Sequence, residues 1–249
     1  PRSTPLYSSA ASDVYKRQAG SSELSEKGMY SFQEVDQIGM STPVTKGSWL
    51  IHDHRRIPDM IASAFRTALG GRPGPVHLTI PMDVQEKPIP EEDIPTYQAT
   101  GQRHHGRNPA DPILVEDAVG ILNNADRPDA IAANAARYSL SQESLVQFME
   151  STGIPVFTVE QARGIVSDDH PLCFGYADGA LNATARRFRE ADVVLLLGKR
   201  LDHRYRYGGI FSPTAKIIQA DPSEAEIGRN RGVAVPLLGD LGAITEQLT

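Results

Sequence analysis

A single cysteine, Cys173, leaves this 249-residue chain without a possible internal disulfide and fits a reducing, cytoplasmic setting. No apolar run approaches the roughly 18 residues of a bilayer-spanning helix; the longest, Val193 to Leu197, has the length of a buried strand. Positive charge is not in excess either. Lys and Arg number 25 against 31 Asp and Glu, a net charge of -6, and no basic stripe offers nucleic acid a footprint. Zinc-site spacing is missing as well. His52-x-His54 and His104-His105 have no second ligand pair and read as exposed loop histidines. Internal repeats are absent. What remains is ordinary for a globular chain, with 40% hydrophobic and 22% charged residues and room for one large domain or a domain plus a partial one.

The segment Gly71-Arg72-Pro73-Gly74-Pro75 reads as a tight turn, in which proline fixes φ and glycine supplies freedom. Val76, Leu78 and Ile80 then alternate as a strand until Pro81, and His77 reads as a packed histidine. Upstream, Ile57, Met60, Ile61, Ala64, Phe65 and Ala68 fall on one face of a helix that stops at Gly70-Gly71. Two short strands and one helix cannot bury both faces of a sheet, so residues 19–86 are expected to be part of a domain only. Residues 87–108, rich in Pro, Glu and Gly, read as a linker. Residues 8–18 read as the in-frame translation of a transposase adaptor. Residues 1–18 are therefore expected to be a disordered artefact, with the natural coding sequence interrupted there.

From Pro109 helix and strand alternate. Helices are expected around Ile113–Leu122, Leu145–Met149, Gly179–Glu190 and Leu241–Leu248. Strands are expected at 130–133, 154–158, 192–197, 216–220 and 233–237, with a long loop over 161–174. The pattern predicts an α/β fold, a mostly parallel sheet with helices on both faces. Cys173 reads as a buried thiol, and Arg186, Arg187 and Arg189 as a solvated helix face.

Ligands of open parallel sheets sit at the carboxyl ends of the strands. There this chain carries Gly198, Arg200, Asp202 and Arg204, then Asp221, then Gly239 and Asp240. Glycine admits close approach, arginine forks onto phosphate, and aspartate accepts from a ribose hydroxyl. Alternatively, Arg200, Asp202 and Arg204 pair with one another and pin the loop.

The run Gly71-Arg72-Pro73-Gly74-Pro75-Val76 through Ile80-Pro81-Met82-Asp83-Val84-Gln85 resembles a segment of the thiamine-diphosphate-dependent acetohydroxyacid synthase and 2-ketoacid decarboxylase superfamily, where it closes the pyrimidine-binding domain. Gly198-x-Arg200-x-Asp202-x-Arg204, Glu226-Ile227-Gly228-Arg229-Asn230 and Leu238-Gly239-Asp240 are similar to loops of its central domain. Thr42-Pro43-Val44-Thr45-Lys46 resembles its short strand before the helix. The resemblance implies residues 109–249 as a six-stranded Rossmann-like central domain. It also implies thiamine diphosphate and Mg in the parent protein, a 2-keto acid substrate, and a homodimer or homotetramer. Phe32-Gln33-Glu34 is similar to a family run whose glutamine borders the active site, and Lys46 to a lysine near the substrate channel; an ordinary surface amide is the other reading of Gln33.

In relatives the central domain holds FAD, ADP or nothing. Three departures weigh against FAD here: Ala133-Asn134-Ala135 for a triple-glycine turn, Gly175-Tyr176-Ala177-Asp178 for a Gly-Met-His-Gly run, and Thr42 for an arginine. The family's catalytic glutamate and diphosphate metal site have no counterpart here, so no catalytic residue and no metal ligand is assigned. The chain is expected to be an inactive fragment of a carboligase or decarboxylase. The alternatives are a 2-hydroxyacyl-CoA lyase fragment or a free-standing adenine-nucleotide-binding module.

Overall fold

The computed structural model describes residues 16–32, 34–94, 107–139 and 142–249. The chain divides into two compact units, Pro1–His105 and Gly106–Thr249.

The first unit runs β1 (Lys16–Ser21), α1 (Gln37–Ser41), β2 (Ser48–Leu50), α2 (Ile57–Leu69), β3 (Val76–Pro81) and α3 (Met82–Gln85). Its sheet is parallel in the order β1-β3-β2, and all six residues of central β3 are buried. Ala64 and Ala68 of α2 close on Val76 and Leu78, with Trp49, Met60 and Ile61 at their edge. On the other side Ile51, Ile80 and Val84 gather Leu24 and Ile57. Phe65, placed on the apolar face by its spacing, is instead exposed. Gly71 takes φ +58° in the turn before β3, a conformation that side chains resist.

Two expectations change here. Lys16, Arg17 and Gln18, expected to be disordered, are the first half of β1 and pair in register with Val76, His77 and Leu78. Ladder bonds use the main chain, so an open flank of β3 can recruit a segment of almost any composition. Thr42–Val44 is a 3-10 turn rather than a strand. Pro43 has no N–H for a ladder, and the Thr42 hydroxyl donates back to Ile38 O at 2.6 Å.

The second unit runs α4 (Pro112–Asn123), β4 (Pro128–Ala132), α5 (Ala136–Ser139), α6 (Gln142–Thr152), β5 (Val156–Thr158), β6 (Cys173–Tyr176), β7 (Val193–Leu197), β8 (Lys216–Asp221), β9 (Val235–Leu238) and α7 (Leu241–Gln247). Six parallel strands lie in the order β6-β5-β4-β7-β8-β9. Strand alternation splits the core. Ala130, Leu195, Leu197 and Ile218 join residues of α4, α6 and α7 such as Val115, Phe148 and Ile244 on one face. Ile131, Val194, Leu196 and Ile217 meet Phe157, Phe188, Tyr205 and Phe211 on the other. That aromatic face is covered largely by 3-10 segments, Ala183–Arg189 and His203–Gly208, where a helix over 179–190 was expected.

The sixth strand, β6, begins in the last two residues of the predicted loop and runs two residues beyond it. Its four residues are all half-buried, and Gly175 sits at φ +81°, so neither alternation nor β propensity marks it. Cys173 is accordingly half-buried at the sheet margin rather than enclosed. Arg187 is no solvated helix-face charge. Its Nε lies 3.1 Å from a carboxylate oxygen of buried Asp129, and its guanidinium stands 5.2 Å from the Phe174 ring centre.

Candidate functional site

Strand order reverses between β4 and β7, so the switch-point crevice lies at Ala132–Ala135 and Leu197–Lys199. Gly198 takes φ +69° there. A Cβ on it would lie 2.6 Å from Ala135 Cβ, 2.9 Å from Leu241 Cδ1 and 3.0 Å from Ala136 N. The room that glycine leaves is therefore filled by this chain itself. Gly239 repeats the arrangement, its absent side chain facing Asn108 O at 2.5 Å.

The polar residues around the crevice are engaged one by one. Arg200 pairs with Glu226 at 2.9 Å, Arg204 with Glu160 at 3.3 Å, and Asp202 with Lys199 at 2.9 Å. They pin the loop mainly through other partners, and one bond joins two of them: Asp202 accepts from Arg204 N at 3.0 Å. Lys199, only 2% exposed, also lies 3.6 Å from Glu160 and 4.5 Å from the Tyr205 ring centre. Glu160 occupies the left-handed region at φ +56°, a cost of about 1–2 kcal/mol for a side-chain-bearing residue. Asp221 is buried and accepts from Ser223 N at 2.9 Å. Asp240 caps α7 through Ala243 N at 2.9 Å and faces Arg107 at 3.5 Å.

Gln219, not among the residues expected from the sequence, ties these loops together from the middle of β8. Fully buried, it donates to Lys199 O and Glu226 O and accepts from Gly228 N, at 3.3, 3.0 and 2.9 Å. A polar residue between Ile218 and Ala220 was the available signal. An adenine dinucleotide placed by the predicted residues would have to displace these internal contacts, so they do not fit such a group as they stand.

The first unit holds a cavity of about 360 Å³ at the carboxyl ends of its strands, lined among others by Ser21, Ser22, Lys27, Glu34, Gln37 and Thr79. Gln37 donates to Gly20 O at 2.9 Å and accepts from the Thr79 hydroxyl at 3.2 Å, which in turn meets His77 Nε2 at 2.9 Å. Glu34 accepts from the Gly28 and Ser31 amides, and the Gly28 bond first of all holds its carboxyl below the usual range. These lining residues come from separate segments, and sequence spacing gave no hint of them. Gln33 lies outside the described residues. Lys46 donates to Gly70 O and Arg72 O, bracing the turn into β3, and burial lowers the pKa of its amine. Among the described residues no three His, Cys, Asp or Glu side chains converge as a metal-ion site.

The second unit is thus a doubly wound six-stranded domain of the dinucleotide-binding architecture, with its crevice self-filled. The family described as thiamine pyrophosphate enzyme, central domain, matches residues 115–248, more than half of the chain, and the chain belongs to it. A probable acetolactate synthase large subunit of Methanocaldococcus jannaschii is 33% identical over 235 residues, covering 89% of this chain and 38% of that protein. The acetolactate synthase large subunit of Corynebacterium glutamicum is 34% identical over 230 residues, 89% of this chain and 35% of its own length. Oxalyl-CoA decarboxylase of Escherichia coli is 31% identical over 218 residues, 85% and 37% respectively. The fold matches the crystal structure of benzoylformate decarboxylase from Polynucleobacter necessarius with a TM-score of 0.76 at 21% identity, over 94% of this chain and 43% of that one. The chain thus spans 38% or less of the length of these curated relatives.

Proposed function

We propose that this chain is the central domain and the end of the pyrimidine-binding domain of a thiamine-diphosphate-dependent enzyme that decarboxylates a 2-keto acid and joins the product to a second carbonyl compound. The observation that carries the reading is the identity of 33% and 34% to acetolactate synthase large subunits, sustained over 89% of the chain and across both units. Thiamine diphosphate, bound with Mg, supplies the electron sink for such chemistry. This chain's share is structural. The second unit is a packed six-stranded sheet, and the first presents the polar cavity that Glu34, next in sequence to Gln33, helps to line. Gln33 borders the active site in this reading, whereas Lys46 supports it by bracing the α2–β3 turn. The working protein is a cytoplasmic homodimer or homotetramer.

Carbon dioxide release from pyruvate by the longer polypeptide, with thiamine diphosphate and Mg, tests the reading. Acetolactate formation without any added acceptor supports it, and no turnover of any 2-keto acid refutes it. The similarity to oxalyl-CoA decarboxylase favours a second reading, cleavage or decarboxylation of a coenzyme A thioester, for which oxalyl-CoA serves as the discriminating substrate. The 249-residue chain alone is inactive on this account. Tight binding of thiamine diphosphate to it by calorimetry would contradict that.

A further inference from the structure

We infer that the switch point of the second unit is closed by its own side chains and takes no adenine nucleotide, with Lys199 standing as a fixed internal cation where open sheets of this kind seat a ligand. The inference concerns this crevice alone and stands whichever reaction the parent protein performs.

Three features meet there. The first is steric. Gly198 is the residue whose missing side chain would let a pyrophosphate approach, yet Ala135, Ala136 and Leu241 occupy that space at 2.6 to 3.0 Å from where a Cβ would stand. All three are themselves buried, so the closure is part of the core and not a loop lying over a hole. Gly239, at the end of β9, is sealed in the same manner by Asn108 and Pro109.

The second is electrostatic. Lys199, Arg200 and Arg204 face Glu160, Asp202 and Glu226, each cation within 3.3 Å of a carboxylate. These three positive groups are matched by three negative ones, so none of the three stands unpaired for a phosphate group. The third is conformational. Glu160 is held at φ +56°, which places its carboxylate between Lys199 and Arg204.

Titration of the 249-residue protein with ADP and, separately, with FAD tests this directly. A nucleotide at about a hundred times its Kd would raise Tm by roughly 5–10 °C for a unit of this size. The inference expects no shift beyond about 1 °C and no saturable heat in calorimetry for either compound. Stoichiometric binding of ADP or FAD to the unaltered protein would overturn it.

Gly198→Ala provides a second, ligand-free readout. If the glycine is required by internal packing, Tm falls, or folded protein is lost, in the absence of any nucleotide. A Gly198→Ala protein with unchanged Tm would sink the steric argument, since its methyl group would then have found room. Lys199→Met gives a third measurement. It should lower Tm without ligand, and ADP should restore none of the loss; restoration by ADP would show that the cation's place is a nucleotide's.

Discussion

Asp129 shows how a single buried charge can set the pH response of a domain. It lies in β4 on the aromatic face, with no exposed surface, and Arg187 Nε stands 3.1 Å from one of its carboxylate oxygens. Burial pushes its pKa up to about 7, against the pull of Arg187 beside it. The folded domain therefore holds this proton more tightly than the unfolded chain. The stabilisation is full below about pH 4 and is lost as pH rises towards 7, an effect of at most about 4 kcal/mol. Thermal unfolding at pH 5 and pH 8 should reveal it. Asp129→Asn should flatten the difference between the two pH values, and an equal slope in both proteins would exclude Asp129 as the source. Gln219 makes a second test at this scale. Gln219→Leu leaves buried carbonyls and the Gly228 amide without partners, for an expected loss of about 1–3 kcal/mol in urea denaturation. Neither residue announced itself in the sequence. Arginines at 186, 187 and 189 looked like a solvated face because periodicity reports which side of an element is apolar. It says nothing of a buried carboxylate far away in the chain that captures one of them.

Among elements, the strands with the most regular pattern were the most legible. Val193–Leu197 is continuous and apolar and sits beside the switch point, buried throughout. The helix over 57–69 and its stop at Gly70 follow from spacing and from the glycine-proline turn. The marginal strand β6 was not legible, because an edge position half-exposes every side chain and removes the alternation that marks a strand. Its outer carbonyls are nevertheless protected. Asn182 donates to Phe174 O and Tyr176 O at 2.6 and 3.0 Å, while its own oxygen caps the following 3-10 segment through Thr184 N. An unguarded edge is a template for pairing with another chain. Asn182→Asp keeps the cap but cannot donate, so light scattering should report concentration-dependent association that the unaltered protein lacks. If Asn182→Asp stays as dispersed as its parent, the edge is guarded by something else.

At the level of the whole molecule, the two units differ in how much each encloses. The second has two extensive apolar layers, one on each face of six strands, whereas the first has two small clusters around three strands. Membership of the thiamine pyrophosphate enzyme family was legible from short glycine- and proline-bearing runs, because such residues mark backbone shapes that few other sequences produce. The occupancy of the crevice was not legible, since it depends on Ala135 and Leu241 meeting Gly198 from distant parts of the chain. Among the described residues no helix is long and apolar enough to cross a membrane.

The chain has one tryptophan, Trp49, and it lies in β2, partly covered by the small cluster of the first unit. Its emission therefore reports the smaller unit alone, whereas circular dichroism sums over both. Emission should change at lower urea than ellipticity does, because fewer buried groups hold the first unit together. Coincident midpoints would mean that the halves melt as one, and a built-in fluorophore makes the distinction without any label.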